Sequence, residues 1–317
     1  MTPSGPIFTR ESLVEIIAHA RARLLAGEHA LSFCVVDPDH GRGLYPGEML
    51  DIDGAAYVHR PFRVWVELAD RLGLRLLTPR PASPPLVELR FERLDVTARW
   101  HADAPRAATD ATEKYGAASG FARISKLEDP TFVIDFNEAL ARTRLGPAPR
   151  VLDLGVNTGD ELALMLAPGA GVGEGASFVG IDHSASALAI ARARFAAARV
   201  QLVEADLAAL TTLDLGGRFD LVVSIGTLQS PGVDDRAVLH TLMRRHLAPT
   251  ASIILGLPNC RYFDGEVQLG TRMKNFREPE LGLLVKDAAY YRRYLQQHGR
   301  QVHVTGSRYV LVTGVPV

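Results

Sequence analysis

The stretch VLDLGVNTGDE, residues 151–161, decides how the chain is read. Its apolar run at 151–154 has the length and composition of a buried strand, and it breaks at Gly155. Gly155 and Gly159 bracket a short loop, after which the chain reads as a helix. A strand, a glycine loop and a helix in that order bring backbone N–H groups close to a ligand, as in nucleotide-type cofactor sites. Asp153 is not explained by packing, because a carboxylate in an apolar strand end costs free energy unless it meets a donor or a cation. Asn157 stands where a third glycine is expected. Asn tolerates a left-handed backbone better than most residues, so a left-handed turn at Asn157, facing the ligand, is expected.

Working outward, short apolar strands alternate with helical segments from Arg150 onward. Strands are expected at 150–154, 177–182, 199–204, 219–225, 251–256, 301–305 and 308–314, with helices near 159–167, 184–198, 234–247 and 286–298. That alternation implies an α/β fold with a doubly wound, mostly parallel, seven-stranded sheet. The last two strands meet through Gly306-Ser307 with no helix between them, so the sheet should end in an antiparallel hairpin. Upstream, 129–146 reads as a helix that starts near Pro130 and stops at Gly146. Residues 12–25 and 62–73 read as helices, and 31–36, 74–79 and 85–96 as strands, which makes 1–110 a smaller α/β accessory domain. Residues 111–149 are then a linker with a lid and a lead-in helix, and 150–317 is the main domain.

Of 317 residues, 47% are hydrophobic and 22% charged, as in an ordinary globular protein. Lys+Arg 35 against Asp+Glu 36 leaves a formal net charge of −1, so no global field recruits nucleic acid or an anionic membrane. Only the stretch from Gly256 is mildly basic, with nine Lys/Arg against five Asp/Glu. Cys34 and Cys260 are the two cysteines, which suggests no disulfide framework and a reducing compartment. The N-terminus reads as an amphipathic helix, and no apolar run approaches the roughly 20 residues of a membrane span. A cytoplasmic protein with no membrane association and no metal site is expected.

In a doubly wound sheet, ligands bind beyond the carboxyl ends of the strands. Asp182 ends the second strand, where a carboxylate can accept from both ribose hydroxyls. Asp206 follows the third strand, within reach of an adenine amino group, and Leu207 can pack on the ring. Ile225, Gly226 and Thr227 follow the fourth strand at the pocket floor. A nicotinamide dinucleotide would need a third glycine, at Asn157 to Asp160 or at Leu162, and neither alignment supplies it.

VLDLGVNTG, GID, EAD and FDLVVSIGTLQ, followed by LMRRHLAP and the final hairpin, resemble a class I S-adenosylmethionine-dependent methyltransferase over about residues 145–317. The resemblance implies S-adenosyl-L-methionine as cofactor. It places Asp153, Gly155 and Gly159, with Asn157 between them, around the amino acid part. Asp182, with His183 beside it, would hold the ribose, and Asp206 with Leu207 the adenine. Ile225 and Gly226 would lie beneath the cofactor. The sequence departs from the pattern at Asn157 and in the insertion APGAGVGEGAS at 167–177, which sets Asp182 further downstream than is common.

Methyl transfer is an in-line displacement that needs the acceptor held close and in line. Acceptor-side candidates are Asn259, Arg261 and Tyr262 after the fifth strand, then Arg272 and Lys274, with Tyr115 as a lid over the methionine end. Arginine there could fork onto a carboxylate or phosphate. Cys260 reads as a small buried thiol rather than a nucleophile. His183, His240 and His246 have no identifiable partner, and the catalytic residue stays unassigned. The neutral charge balance slightly favours a small-molecule acceptor. The alternatives are tRNA, held by the basic 261–277 loop, and a non-catalytic scaffold that keeps the fold.

Overall fold

The computed structural model describes residues 5–41, 43–94, 111–196, 198–263, 266–269 and 281–317. The chain divides into two compact units, Met1–Thr97 with Phe263–Glu266, and Ala98–Tyr262 with Val267–Val317.

The first unit carries α1 (Leu13–Leu25), β1 (Ala30–Val36), β2 (Met49–Ile52), β3 (Ala55–Val58), α2 (Phe62–Leu72), β4 (Leu74–Pro81) and β5 (Leu86–Arg93). Ser12 caps α1 and exchanges hydrogen bonds with Glu15 in a capping box. α2 stops at Gly73, whose φ of 66° is left-handed. β5 lies between β1 and β4 and is antiparallel to both. Ile16, Phe33, Trp65, Leu89 and Phe91 form the core of this unit. The hairpin β2–β3 was not anticipated. Asp53 and Gly54, at φ 53° and 77°, make its two-residue turn.

The second unit begins with α3 (Pro130–Ala141), β6 (Arg150–Leu154), α4 (Asp160–Leu166), β7 (Ser177–Asp182), α5 (Ala185–Arg194) and β8 (Val200–Glu204). It continues with β9 (Phe219–Ile225), α6 (Asp235–Thr241), a π turn at Leu242–His246 and β10 (Leu247–Pro258). β11 (Cys260–Phe263) and β12 (Glu266–Leu269) form a small two-stranded sheet. α7 (Gly282–Gln297), β13 (Arg300–Thr305) and β14 (Tyr309–Pro316) close the chain.

Seven strands join in the order β13-β14-β10-β9-β6-β7-β8. β10, β9, β6, β7 and β8 are mutually parallel, and β14 runs antiparallel to β10 and β13. The doubly wound sheet with a terminal hairpin is thus the one expected from the sequence. Both faces are covered, which explains why its strands read as continuous apolar runs. Leu152, Leu154, Val222 and Ile253 pack with Leu239, Tyr291 and Leu295 on one face. Val151, Leu221, Val223 and Ile254 pack with Phe132, Phe136, Leu162 and Leu188 on the other.

Several boundaries differ from the expected ones. α3 ends at Ala141 instead of 146: Thr143 Oγ1 donates to Leu140 O and Arg144 turns left-handed at φ 48°. α5 ends at Arg194, where Phe195 leaves helical geometry at φ −112°. β10 runs Leu247–Pro258, well beyond 251–256, with an irregularity against β9 between Leu247 and Ser252. α7 starts at Gly282, before the expected 286.

Candidate active site

β6 is the point where the strand order reverses, with β9 on one side and β7 on the other. The loop after β6 therefore opens into the crevice of a doubly wound sheet. The N–H groups of Gly155 and Val156 both donate to Ile181 O, at 2.8 and 3.1 Å, and tie this loop to the end of β7. Gly155, Asn157 and Gly159 all have positive φ, at 75°, 46° and 88°. Asn157 is left-handed, as expected from its residue type. Glycine is also required sterically at two of these positions. A Cβ at Gly155 would lie 1.9 Å from Thr227 Oγ1, and one at Gly159 2.3 Å from the Phe195 ring.

The three carboxylates singled out from the sequence sit in three different environments. Asp182 is half-buried and accepts from the N–H of Asn157 through Oδ2 and of Ser184 through Oδ1, both at 2.9 Å. Asp206 is exposed and caps a short 3-10 turn, accepting from Ala208 N at 2.7 Å. Leu207 beside it is buried in the core. Asp153 is 1% exposed, and its Oδ2 has no hydrogen-bond partner among the described residues. Burial, with the nearby carboxylates of Glu161 and Asp182, pushes Asp153 well above the ordinary carboxylate range, against the opposing pull of Lys126. Ile225 is buried, Gly226 is half-buried at φ 78°, and its N–H donates to Gly256 O. His183 is exposed.

Lys126, Asp160 and Glu161 were missed as site residues. Glu161 and Lys126 are both buried and form an ion pair. Burial opposes the Lys126 charge, but Glu161, Asp160 and Asp153 together raise its pKa. Asp160 accepts from Lys126 N at 3.0 Å and pairs with Arg194 at 2.9 Å. With Ile124, Val156 and Asn157, these groups line a small cleft beside the loop. A signal was available. DELALML places two acidic residues at the start of a helix whose other positions are apolar, and buried carboxylates demand a cation.

The lead-in segment reaches the same loop. Asn157 Nδ2 donates to Tyr115 O at 2.9 Å, and Asn157 Oδ1 accepts from Thr158 N. So the Asn157 side chain is engaged by protein groups rather than held free for a ligand. Glu113 accepts from Ser184 Oγ, Ser186 N and Ser186 Oγ, and these bonds, those from Ser186 foremost, hold its carboxyl below the usual range. Tyr115 itself is half-buried.

The candidates beyond β10 have structural partners. Asn259 donates its N–H to Arg308 O and its Nδ2 to Ser307 O, which fastens the strand end to the β13–β14 turn. Tyr262 Oη donates to Asp129 Oδ2 at 3.3 Å, and Arg308 pairs with Asp129 at 3.1 Å. Buried Asp129 also caps α3, accepting from Thr131 N and Phe132 N. Arg261 is half-buried on β11. Arg272 and Lys274 lie outside the described residues. Burial foremost, then Asp129, pushes the Cys260 thiol up to about 12. Tyr262 is likewise raised to about 12, by burial first and then by Cys260 and Asp129. A buried thiol in that range is mostly protonated at neutral pH, which matches the reading of Cys260 as a small buried side chain. His246 is buried with Nε2 against Leu210 O, in the core and not at the site. Among the described residues, no group of three His, Cys, Asp or Glu could hold a metal ion, and no helix is long and apolar enough to cross a membrane.

The strand order with its terminal hairpin, the left-handed glycine loop at the switch point, and the carboxylates at Asp153 and Asp182 together form a cofactor-type crevice in a doubly wound sheet. Residues 151–250 match the family model described as a methyltransferase domain. The match spans less than half of the chain and marks this stretch as similar to a methyltransferase domain. No curated protein matches it. Among solved structures, an Aquifex aeolicus SAM-dependent methyltransferase is 17% identical, over 62% of this chain and 98% of that one, with a TM-score of 0.42. The magnesium protoporphyrin IX methyltransferase of Synechocystis, solved with bound SAM, is 18% identical, over 67% of this chain and 100% of that one, with a TM-score of 0.43.

Proposed function

We propose that this chain transfers the methyl group to a small-molecule acceptor, and that the loop after β6 holds the methionine end of the cofactor. The fit rests on Asp153, whose buried Oδ2 has no partner among the described residues, and on Gly155, where a Cβ would meet Thr227. Asp153, Gly155 and Gly159, with the backbone alone of Asn157 between them, would surround the amino acid part, and Asp182 with His183 the ribose. Asp206 and Leu207 would take the adenine, with Ile225 and Gly226 beneath. S-adenosylmethionine supplies an electrophilic methyl group on a sulfonium. The protein's own part is to hold the acceptor in line and to exclude water. Residues 1–110 act in this reading as an accessory domain for the acceptor, and the protein works in the cytoplasm.

The observation that carries the acceptor class is the neutralisation of Arg308, in the turn between β13 and β14, by Asp129. A cation already paired with a buried carboxylate is poorly placed to hold a phosphate backbone. With Cys260 and Tyr262 both raised to about 12, neither is a base at neutral pH, which favours an acceptor that is nucleophilic as it stands. The tRNA reading rests instead on the basic residues of 261–277. Incubating the protein and methyl-labelled S-adenosylmethionine with a fractionated extract separates the two. Label is expected in the small-molecule fraction. Label in tRNA, with a gel shift that weakens steeply as salt rises, overturns the proposal. Calorimetry with S-adenosylhomocysteine tests the site residues, since affinity that survives Asp182→Ala removes Asp182 from them.

A further inference from the structure

We propose that Asn157 is a positioning residue: it latches the lead-in segment 111–128 to the cofactor loop, so that engagement of Asp182 by the cofactor and fixing of this segment become one event. This rests on the cofactor reading above. The carrying observation is a closed ring of hydrogen bonds with Asp182 as its hub. In one arm, Asn157 N donates to Asp182 Oδ2 and Asn157 Nδ2 donates to Tyr115 O, each at 2.9 Å. In the other, Ser184 N donates to Asp182 Oδ1 at 2.9 Å and Ser184 Oγ donates to Glu113 at 3.1 Å. Glu113 and Tyr115 are two residues apart on the segment, so both arms return to the same short piece of chain.

An outer anchor lies beside the ring. Ser186 Oγ accepts from Ala117 N at 2.9 Å and donates to Glu113. Gly116 leaves room for the Glu113 carboxylate to reach Ser186, since a Cβ there would lie 1.9 Å from Glu113 Oε2 and 2.6 Å from Ser186 Oγ and would push that carboxylate aside. At its far end the segment is fixed by Lys126, through its N–H to Asp160 and its ammonium to Glu161.

The ring gives Asn157 a reason to be something other than glycine. At φ 46° glycine would be the least strained residue, but it carries no donor. Asn accepts the left-handed turn at small cost and adds the amide N–H that reaches Tyr115 O. A ligand that takes hold of Asp182 restrains the carboxylate at the hub, and the two arms pass that restraint to the segment. The segment in turn slows escape of the ligand.

Hydrogen exchange read by mass spectrometry, with and without S-adenosylhomocysteine, tests this. In the wild type the ligand should slow exchange across 111–128 about tenfold or more. Asn157→Gly keeps the turn and Asn157→Asp tolerates it, and both lack the donor. Both should still bind the ligand, lose the added protection over 111–128, and release it about 3- to 10-fold faster, the worth of one hydrogen bond. Ser186→Ala, outside the ring, should loosen the same segment. Binding with full protection retained in both Asn157 variants overturns the latch alone. Failure of the wild type to bind S-adenosylhomocysteine overturns the cofactor reading and the latch with it.

Discussion

Asp153→Asn is the sharpest test of the buried charge at the loop. The native carboxylate is 1% exposed, has no partner for Oδ2 among the described residues, and has Glu161 and Asp182 among its neighbours. Its pKa is raised in the folded state, so the folded protein holds this proton more tightly than the unfolded chain does. The stability this contributes is fully present below the unfolded value of about 3.9 and is lost as pH rises through the raised native value. Each unit of separation removes about 1.4 kcal/mol. An unsatisfied buried group by itself costs about 1–3 kcal/mol. Asparagine has nearly the same shape, carries no charge, and offers an N–H to the flanking carboxylates. The ligand-free variant should therefore match the wild type near pH 4 and exceed it by about 1–3 kcal/mol near pH 8. Urea titrations across this range measure the difference directly. Two parallel curves, or a variant weaker at pH 8, would refute the assignment of Asp153 as a buried group without full compensation.

Three other outcomes follow from the same geometry. Lys126→Met strands Glu161 in the interior and should cost about 3–5 kcal/mol, whereas the double variant with Glu161→Leu should recover much of that loss in thermal denaturation. Gly155→Ala forces a Cβ to 1.9 Å from Thr227 Oγ1 at φ 75°, so it should destabilise by about 1–3 kcal/mol and abolish S-adenosylhomocysteine binding in calorimetry. Cys260, with its thiol raised to about 12, should resist iodoacetamide near pH 8 in the native protein and react once the protein is unfolded in urea.

Some of this was open to reading from the chain. The period of the apolar runs from Arg150 onward requires strands buried on both faces, and Gly306-Ser307 without an intervening helix requires the closing hairpin. Residues 12–25 and 62–73 read as helices, and the structure places α1 at Leu13–Leu25 and α2 at Phe62–Leu72. The hairpin at 49–58 was equally legible, since Asp53-Gly54 between two short apolar runs favours a two-residue turn. Acceptor candidates fared differently. Asn259 and Tyr262 were chosen for their polarity at a strand end, yet their partners are Ser307, Arg308 and Asp129. A local stretch does not reveal that a distant carboxylate has already claimed its donors.

The sequence by itself therefore determined the class of fold, the left-handed loop and the residue types that give it its chemistry. These depend on local backbone sterics and on the spacing of apolar side chains, both written along the chain. Only the tertiary structure decided which charges meet. Lys126 finds Glu161 35 residues away, and Asp129 finds Tyr262 133 residues away. Asp182 is joined to Glu113 and Tyr115 through Ser184 and Asn157. A buried charge must find its partner wherever packing brings one, and packing is a property of the whole sheet and its covering helices.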